Sequence, residues 1–347
     1  MPGETSEISQ VRDPKFTAMR TLVTGGAGFI GSHLTDALLA RGDEVTVLDD
    51  LTTGKLANLE SALGNGADLI EGNIVDRKFV EETVQAVRPE KIFHLAAQGE
   101  VQRSIEQPAF DATVNVVGSV NLIEAGKNVG VDRFVFASTG GAIYGEGSRI
   151  DLPAAETEPT APLCPYGLSK LAGEQYLELY RRAYGFNSVA LRFANVYGPR
   201  QSPKGEAGAV AIFGELLLAG QNPTVFGDGQ QTRDFIYIDD LVEALLIASE
   251  AEVQGPLNLG SGEETSILDL VNGLREAGHT LNRDGPPPGT TFQPDFDRGR
   301  PGEVRRISIS PARAARELGW TPSTSLNDGL ARTLRAIGTR AHANASS

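Results

Sequence analysis

A doubly wound α/β fold, a parallel sheet covered by helices and followed by a smaller α+β domain, is what three features of the sequence predict. Short β-branched runs alternate with longer helical patterns from Arg20 to Arg192, a glycine-rich turn joins the first run to the first helix, and the rhythm breaks near Asn195. Regular alternation implies parallel neighbours, because each helical crossover brings the chain back to start the next strand in the same direction.

Strands are expected at residues 21–23, 44–48, 68–70, 91–95, 133–137 and 188–192. Residues 19–193 then form the first domain, to which residues 236–263 are expected to return, and residues 194–338 form most of the second. Within the latter, a stretch rich in proline and glycine at 283–301 is too long for a simple turn. Residues 1–18 are polar, with acidic side chains and a proline but no apolar run of a secretory signal. They are expected to be a disordered extension or a start read too early, and the tail 342–347 is read likewise.

The chain has 347 residues, 31 basic and 45 acidic, so its formal charge is −14. That length suits about two domains. The acidic balance argues against a nucleic-acid partner, because phosphate affinity needs clustered Lys and Arg. Cys164 is the single cysteine, and His33, His94, His279 and His342 are dispersed, so no metal site is expected. No window approaches the ~20 apolar residues of a membrane span, and a reducing cytoplasm is the expected compartment.

Residues Thr21 to Thr24 run directly into Gly25-Gly26-Ala27-Gly28-Phe29-Ile30-Gly31, after which a helical pattern opens. Gly25 suits the tight turn off the strand, Gly28 lets backbone amides approach a pyrophosphate, and Gly31 lets helix and strand pack closely. The second strand ends at Asp49-Asp50, where a carboxylate can accept from an adenosine ribose diol. An acid there repels a 2′-phosphate, and only Lys55 is basic in the segment that follows, so NAD is expected rather than NADP.

The Gly-x-x-Gly-x-x-Gly spacing resembles the extended short-chain dehydrogenase/reductase family, specifically its NAD-dependent epimerases and dehydratases. That resemblance implies a Rossmann domain carrying NAD and a smaller substrate-binding domain. It places the nicotinamide side along His94-Leu95-Ala96-Ala97-Gln98 and at Asn115, and adenine near Asn73-Ile74. Asn73 stands where the family commonly has aspartate, and its carbonyl can still accept from an adenine amino group.

The sharpest chemical signal is Tyr166-Gly167-Leu168-Ser169-Lys170 at the start of a helical segment. Positions i and i+4 share a helix face, so phenol and ammonium lie together and the cation is expected to favour the phenolate. A catalytic hydroxyl is expected at the end of the fifth strand, where Thr139 is assigned and Ser138 competes. By resemblance the catalytic set is Thr139, Tyr166 and Lys170.

Family members that dehydrate or decarboxylate carry acids just after that hydroxyl, whereas this chain has Gly140 and Gly141. The simplest remaining cycle is oxidation and re-reduction at one carbon. The resemblance therefore implies the 4-epimerase branch, interconverting UDP-glucose and UDP-galactose through a 4-keto intermediate. For the UDP-sugar it implies Asn195 and Arg233, with Arg300 on the pyrophosphate and Glu303 on the uridine ribose, beside Ser138 and Thr139 at the sugar. Ile307 aligns with a position that limits room for an N-acetyl group. Alternatives are a 4-epimerase of UDP-glucuronate, with Arg200 or Lys204 meeting the carboxylate, or of UDP-N-acetylglucosamine. A 4-keto reductase and a non-enzymatic NAD-sensing protein are the others. Helical segments 109–125 and 166–184 match the family's intersubunit bundle, which implies a homodimer.

Overall fold

The computed structural model describes residues 18–203, 208–281, 286–299 and 304–345, the last five by backbone alone. The expectations placed on residues 1–17, Lys204, Arg300 and Glu303 lie outside these described residues. Six strands appear where the sequence alternation puts them: β1 Arg20–Thr24, β2 Glu44–Asp49, β3 Asp68–Glu71, β4 Lys91–His94, β5 Arg133–Thr139 and β6 Ser188–Phe193. A seventh, β7 Gly255–Leu259, joins them, and the sheet runs β7-β6-β5-β4-β1-β2-β3 with every pairing parallel. The order reverses beside β1, and the cleft above the strands' carboxyl ends at such a switch is where doubly wound sheets bind ligands.

Strands β5 and β6 are buried at every position because helices cover both faces of the sheet. The main helices are α1 Phe29–Arg41, α2 Pro108–Ala112, α3 Gly118–Val129, α4 Pro165–Tyr184 and α5 Ile238–Glu250. The continuous helix expected at 109–125 is instead broken. Between α2 and α3 the backbone widens into a π-helical turn at Thr113–Val117. Such a turn commonly marks a functional site, because it re-aims the side chains that flank it.

Strand β5 runs two residues beyond its expected end, since Ser138 and Thr139 still pair with Arg192 and Phe193 of β6. This extension fixes Thr139 at the sheet's carboxyl edge. Beyond β6 the smaller region is built from two-stranded pairs. Asn195–Tyr197 runs parallel to Phe235–Tyr237, and Thr232–Arg233 antiparallel to Thr265–Ser266.

Asp239 and Asp240 stand in the first turn of α5. No side-chain bond caps that helix. Asp240 is buried and accepts from Ser323 Oγ at 2.9 Å and Thr324 N at 3.0 Å, tying the C-terminal segment to α5. No described helix is long and apolar enough to cross a membrane.

Candidate active site

The glycine turn closes as tightly as its spacing implies. A Cβ at Gly31 would sit 2.1 Å from the Gly25 carbonyl oxygen, and one at Gly25, where φ is +73°, 2.6 Å from Ala96 N. Any larger residue would force strand, turn and helix apart. Gly28 occupies the N-cap of α1 with no side chain bonded to the first-turn amides. Those uncapped amides, at the positive end of a helix dipole, fit a pyrophosphate.

Asp49 is buried and accepts from Ala27 N and Leu51 N, both at 2.9 Å. Burial pushes its carboxyl above the ordinary value, and those two amides pull the other way. Each oxygen keeps a lone pair for a ribose hydroxyl. Asp50, more exposed, accepts from Asn73 Nδ2 at 2.9 Å, while Asn73 Oδ1 takes Val75 N at 2.9 Å. The Asn73 carbonyl meant for adenine thus already holds its own loop. Ile74 is buried and packs its side chain against Gly118.

Gln98 and Asn115 are likewise engaged with each other and with a residue the sequence reading missed. Gln98 N donates to Asn115 Oδ1 and Asn115 Nδ2 donates to Gln98 O, both at 2.9 Å. Both side-chain amides also donate to Asp111 Oδ1, at 3.1 and 3.0 Å. Their groups hold the loop after β4, which leaves Leu95, Ala96 and Ala97 to meet a cofactor through backbone and small side chains. His94 is buried between Thr24 Oγ1 at 2.8 Å and Ser119 Oγ at 2.9 Å. Because Ser119 already donates to Asn115 O at 2.6 Å, the imidazole proton sits on Nε2. Burial takes this histidine down to about 3, so it stays neutral.

A cavity of about 610 Å³ opens beside these elements, reaching from Phe29 and Ile30 past Ser138, Thr139 and Tyr166 to Asn195 and Arg233. The Thr139 hydroxyl faces the Tyr166 phenol and favours its ionised form. Ser138 turns the other way and donates to Glu174 Oε1 at 2.6 Å. The pair left open by the sequence is therefore divided by strand alternation, with Thr139 facing Tyr166 and Ser138 anchored behind the strand.

Lys170 is buried, donates to Ala137 O at 2.8 Å and lies 4.9 Å from the Phe136 ring centroid. Burial lowers its ammonium to about 8. Burial also pushes the Tyr166 phenol well above its ordinary value. That corrects the expectation of a phenolate favoured by Lys170, since desolvation of the phenolate dominates in the chain by itself.

Behind the site, Glu174 and Arg192 form an ion pair at 2.6 Å with both side chains 5% exposed. Arg192 Nη1 also donates to Tyr144 Oη at 2.8 Å, and Tyr144 Oη donates to Asn258 Oδ1 at 2.8 Å. Glu174 was legible only as one helical turn beyond Lys170. Arg200, offered as a carboxylate partner, is instead held by Asp36 at 2.7 Å. Ile307 is buried in the core and is not among the described residues lining the cavity.

Residues 21–260 match the NAD dependent epimerase/dehydratase family. The chain belongs to that family. A relative from Mycolicibacterium smegmatis, a UDP-glucose 4-epimerase, is 44% identical over 91% of this chain and 97% of its own length. The crystal structure of a Thermotoga maritima UDP-glucose 4-epimerase with UDP-glucose superposes with a TM-score of 0.86 at 42% identity, covering 92% of this chain and 99% of that one. A Bacillus cereus UDP-glucuronic acid 4-epimerase, solved with UDP-glucuronic acid and NAD, gives 0.81 at 32% identity over 92% and 99%. The protein is thus an enzyme of the NAD-dependent nucleotide-sugar epimerase and dehydratase type, and its glycine turn and Asp49 fit the NAD that the Bacillus cereus structure holds.

Proposed function

We propose that the protein is a 4-epimerase interconverting UDP-glucose and UDP-galactose through a 4-keto intermediate. The observation that carries this is the cavity wall. Among the described residues lining it, none is Asp, Glu, His or Lys, and Gly141 follows the Thr139 hydroxyl. Dehydration or decarboxylation needs a further acid or base to move a second proton or expel a leaving group. With Tyr166 and Thr139 as the hydroxyls at the sugar, the chemistry this wall supports is oxidation and reduction at one carbon.

Gly25, Gly28 and Gly31 with the Phe29 and Ile30 amides would hold the NAD pyrophosphate, and Asp49 and Asp50 its ribose. Bound NAD would supply the hydride acceptor for one half-cycle and the donor for the other. Tyr166 takes the proton from the sugar 4-hydroxyl as that alcohol is oxidised and returns it when the ketone is reduced. Thr139 orients the same oxygen, and Lys170 supplies positive charge behind the phenol. Arg233 and Asn195, both lining the cavity, hold the diphosphate, and Arg300 and Glu303 are proposed to complete the nucleotide site. Gripping the nucleotide there leaves the ketone free to turn and present its other face.

Incubation with UDP-galactose and no added cofactor should give UDP-glucose to a fixed ratio without net NADH, followed by chromatography and absorbance together. Steady NADH accumulation, or no conversion even with NAD supplied, would overturn the assignment to this sugar pair.

The same reading includes a homodimer. Apolar side chains stand exposed on the two helical segments beside the site: Phe110, Val117, Leu168, Tyr176 and Leu179, the last 47% exposed. Light scattering should give twice the chain mass, and Leu179→Arg should return it toward one.

A further inference from the structure

Asp111 is a carboxylate with no role in the proposed cycle, yet it is fully buried on α2 against the helix that carries Tyr166 and Lys170. Its Oδ1 accepts from Gln98 and Asn115, and its Oδ2 accepts from Ser169 Oγ at 2.6 Å, between the two catalytic positions. The three bonds satisfy an ionised carboxylate rather than a neutral acid, which would itself need to donate.

The other charged or titratable groups around this pair have partners of their own. His94 of β4 is neutral, and Cys164 at the N-cap of α4 has its thiol pushed up by burial. Glu174 is matched by Arg192, and Tyr144 bonds that same arginine. Arg103 stacks on Phe110, while Tyr180 and Lys127 engage Glu124 on the outer turns. Asp111 remains as the carboxylate whose charge acts on both Lys170 and Tyr166.

We propose that Asp111 is a positioning residue that serves as the buried counter-charge of Lys170, so that the positive charge of an oxidised nicotinamide is balanced by ionisation of Tyr166. With Asp111 negative and Lys170 positive the pocket is neutral by itself, and neutral phenol is its stable form. An added positive charge is matched when the phenol gives up its proton, and the match disappears when that charge is lost on reduction. The proposal rests on the epimerase reading only for the direction of proton flow.

The sign of the test follows from the charge. A negative Asp111 favours the ammonium and disfavours the phenolate, so it raises both midpoints; Asp111→Asn should lower both. In NAD-loaded protein, the tyrosinate absorbance that disappears in Tyr166→Phe should rise about one pH unit lower in Asp111→Asn. If the enzyme epimerises, the alkaline fall in kcat should move down with it. Ser169→Ala, which removes one bond and keeps the charge, should leave the tyrosinate midpoint in place. An unmoved midpoint in Asp111→Asn, or an equal shift in Ser169→Ala, would overturn the proposal.

Melting supplies a readout independent of sugar and of the fate of that one variant. Lys170→Met leaves Asp111 without its counter-charge, and Asp111→Asn/Lys170→Met removes both charges. The double variant should melt above Lys170→Met, whereas a lower or equal Tm would sink the pairing. Failure of UDP-galactose turnover alone would leave these two results untouched and would count only against the assigned substrate.

Discussion

Tyr166→Phe should reduce kcat about a thousandfold while the protein still folds and retains NAD. The ring keeps its packing on the cavity wall, and the change removes one oxygen, the atom that the Thr139 hydroxyl faces. No lining Asp, Glu, His or Lys stands ready to replace it among the described residues. KM for the nucleotide sugar should change little, because the proposed grip on the diphosphate does not use the phenol. Steady-state kinetics with cofactor content measured on the same sample checks this. A residual rate within tenfold of the parent would mean that another group moves the proton.

The second large effect concerns folding. Arg192→Ala should destabilise the protein by about 3–5 kcal/mol, because it leaves the Glu174 carboxylate buried without its cation. The pair is 5% exposed on both sides, and Arg192 also fixes Tyr144. Urea unfolding should show a lower midpoint with an unchanged slope. Replacing both partners, Arg192→Met with Glu174→Leu, should recover most of the loss, since no lone charge then remains. Activity of that double variant should still be impaired, because Glu174 anchors Ser138 and the strand end that presents Thr139.

Much of this architecture was legible because local rules impose it. Alternating β-branched and helical segments give a parallel sheet whatever lies around them, and a strand running into Gly25, Gly28 and Gly31 must turn tightly into a helix. Tyr166 and Lys170 share a helix face by spacing alone. What the reading did not contain was long-range. Asn73, Gln98 and Asn115 were assigned to the cofactor by position, but their amides bond Asp50, Asp111 and each other, partners no motif connects.

The sequence by itself determined the sheet, the tight glycine turn and the placing of Tyr166 and Lys170 on one helix face, since each follows from periodicity or from spacing within one element. Only the tertiary structure set Ser138 against Glu174 and Thr139 toward Tyr166, because β5 extends two residues through its pairing with β6 and puts their hydroxyls on opposite sides. Only it showed that Tyr166 is a neutral phenol in the chain by itself, and that Asp111 stands behind Lys170. Those are properties of charge and burial, set by residues dozens of positions apart that folding brings into one desolvated pocket, where the dielectric is low enough for each charge to govern the next.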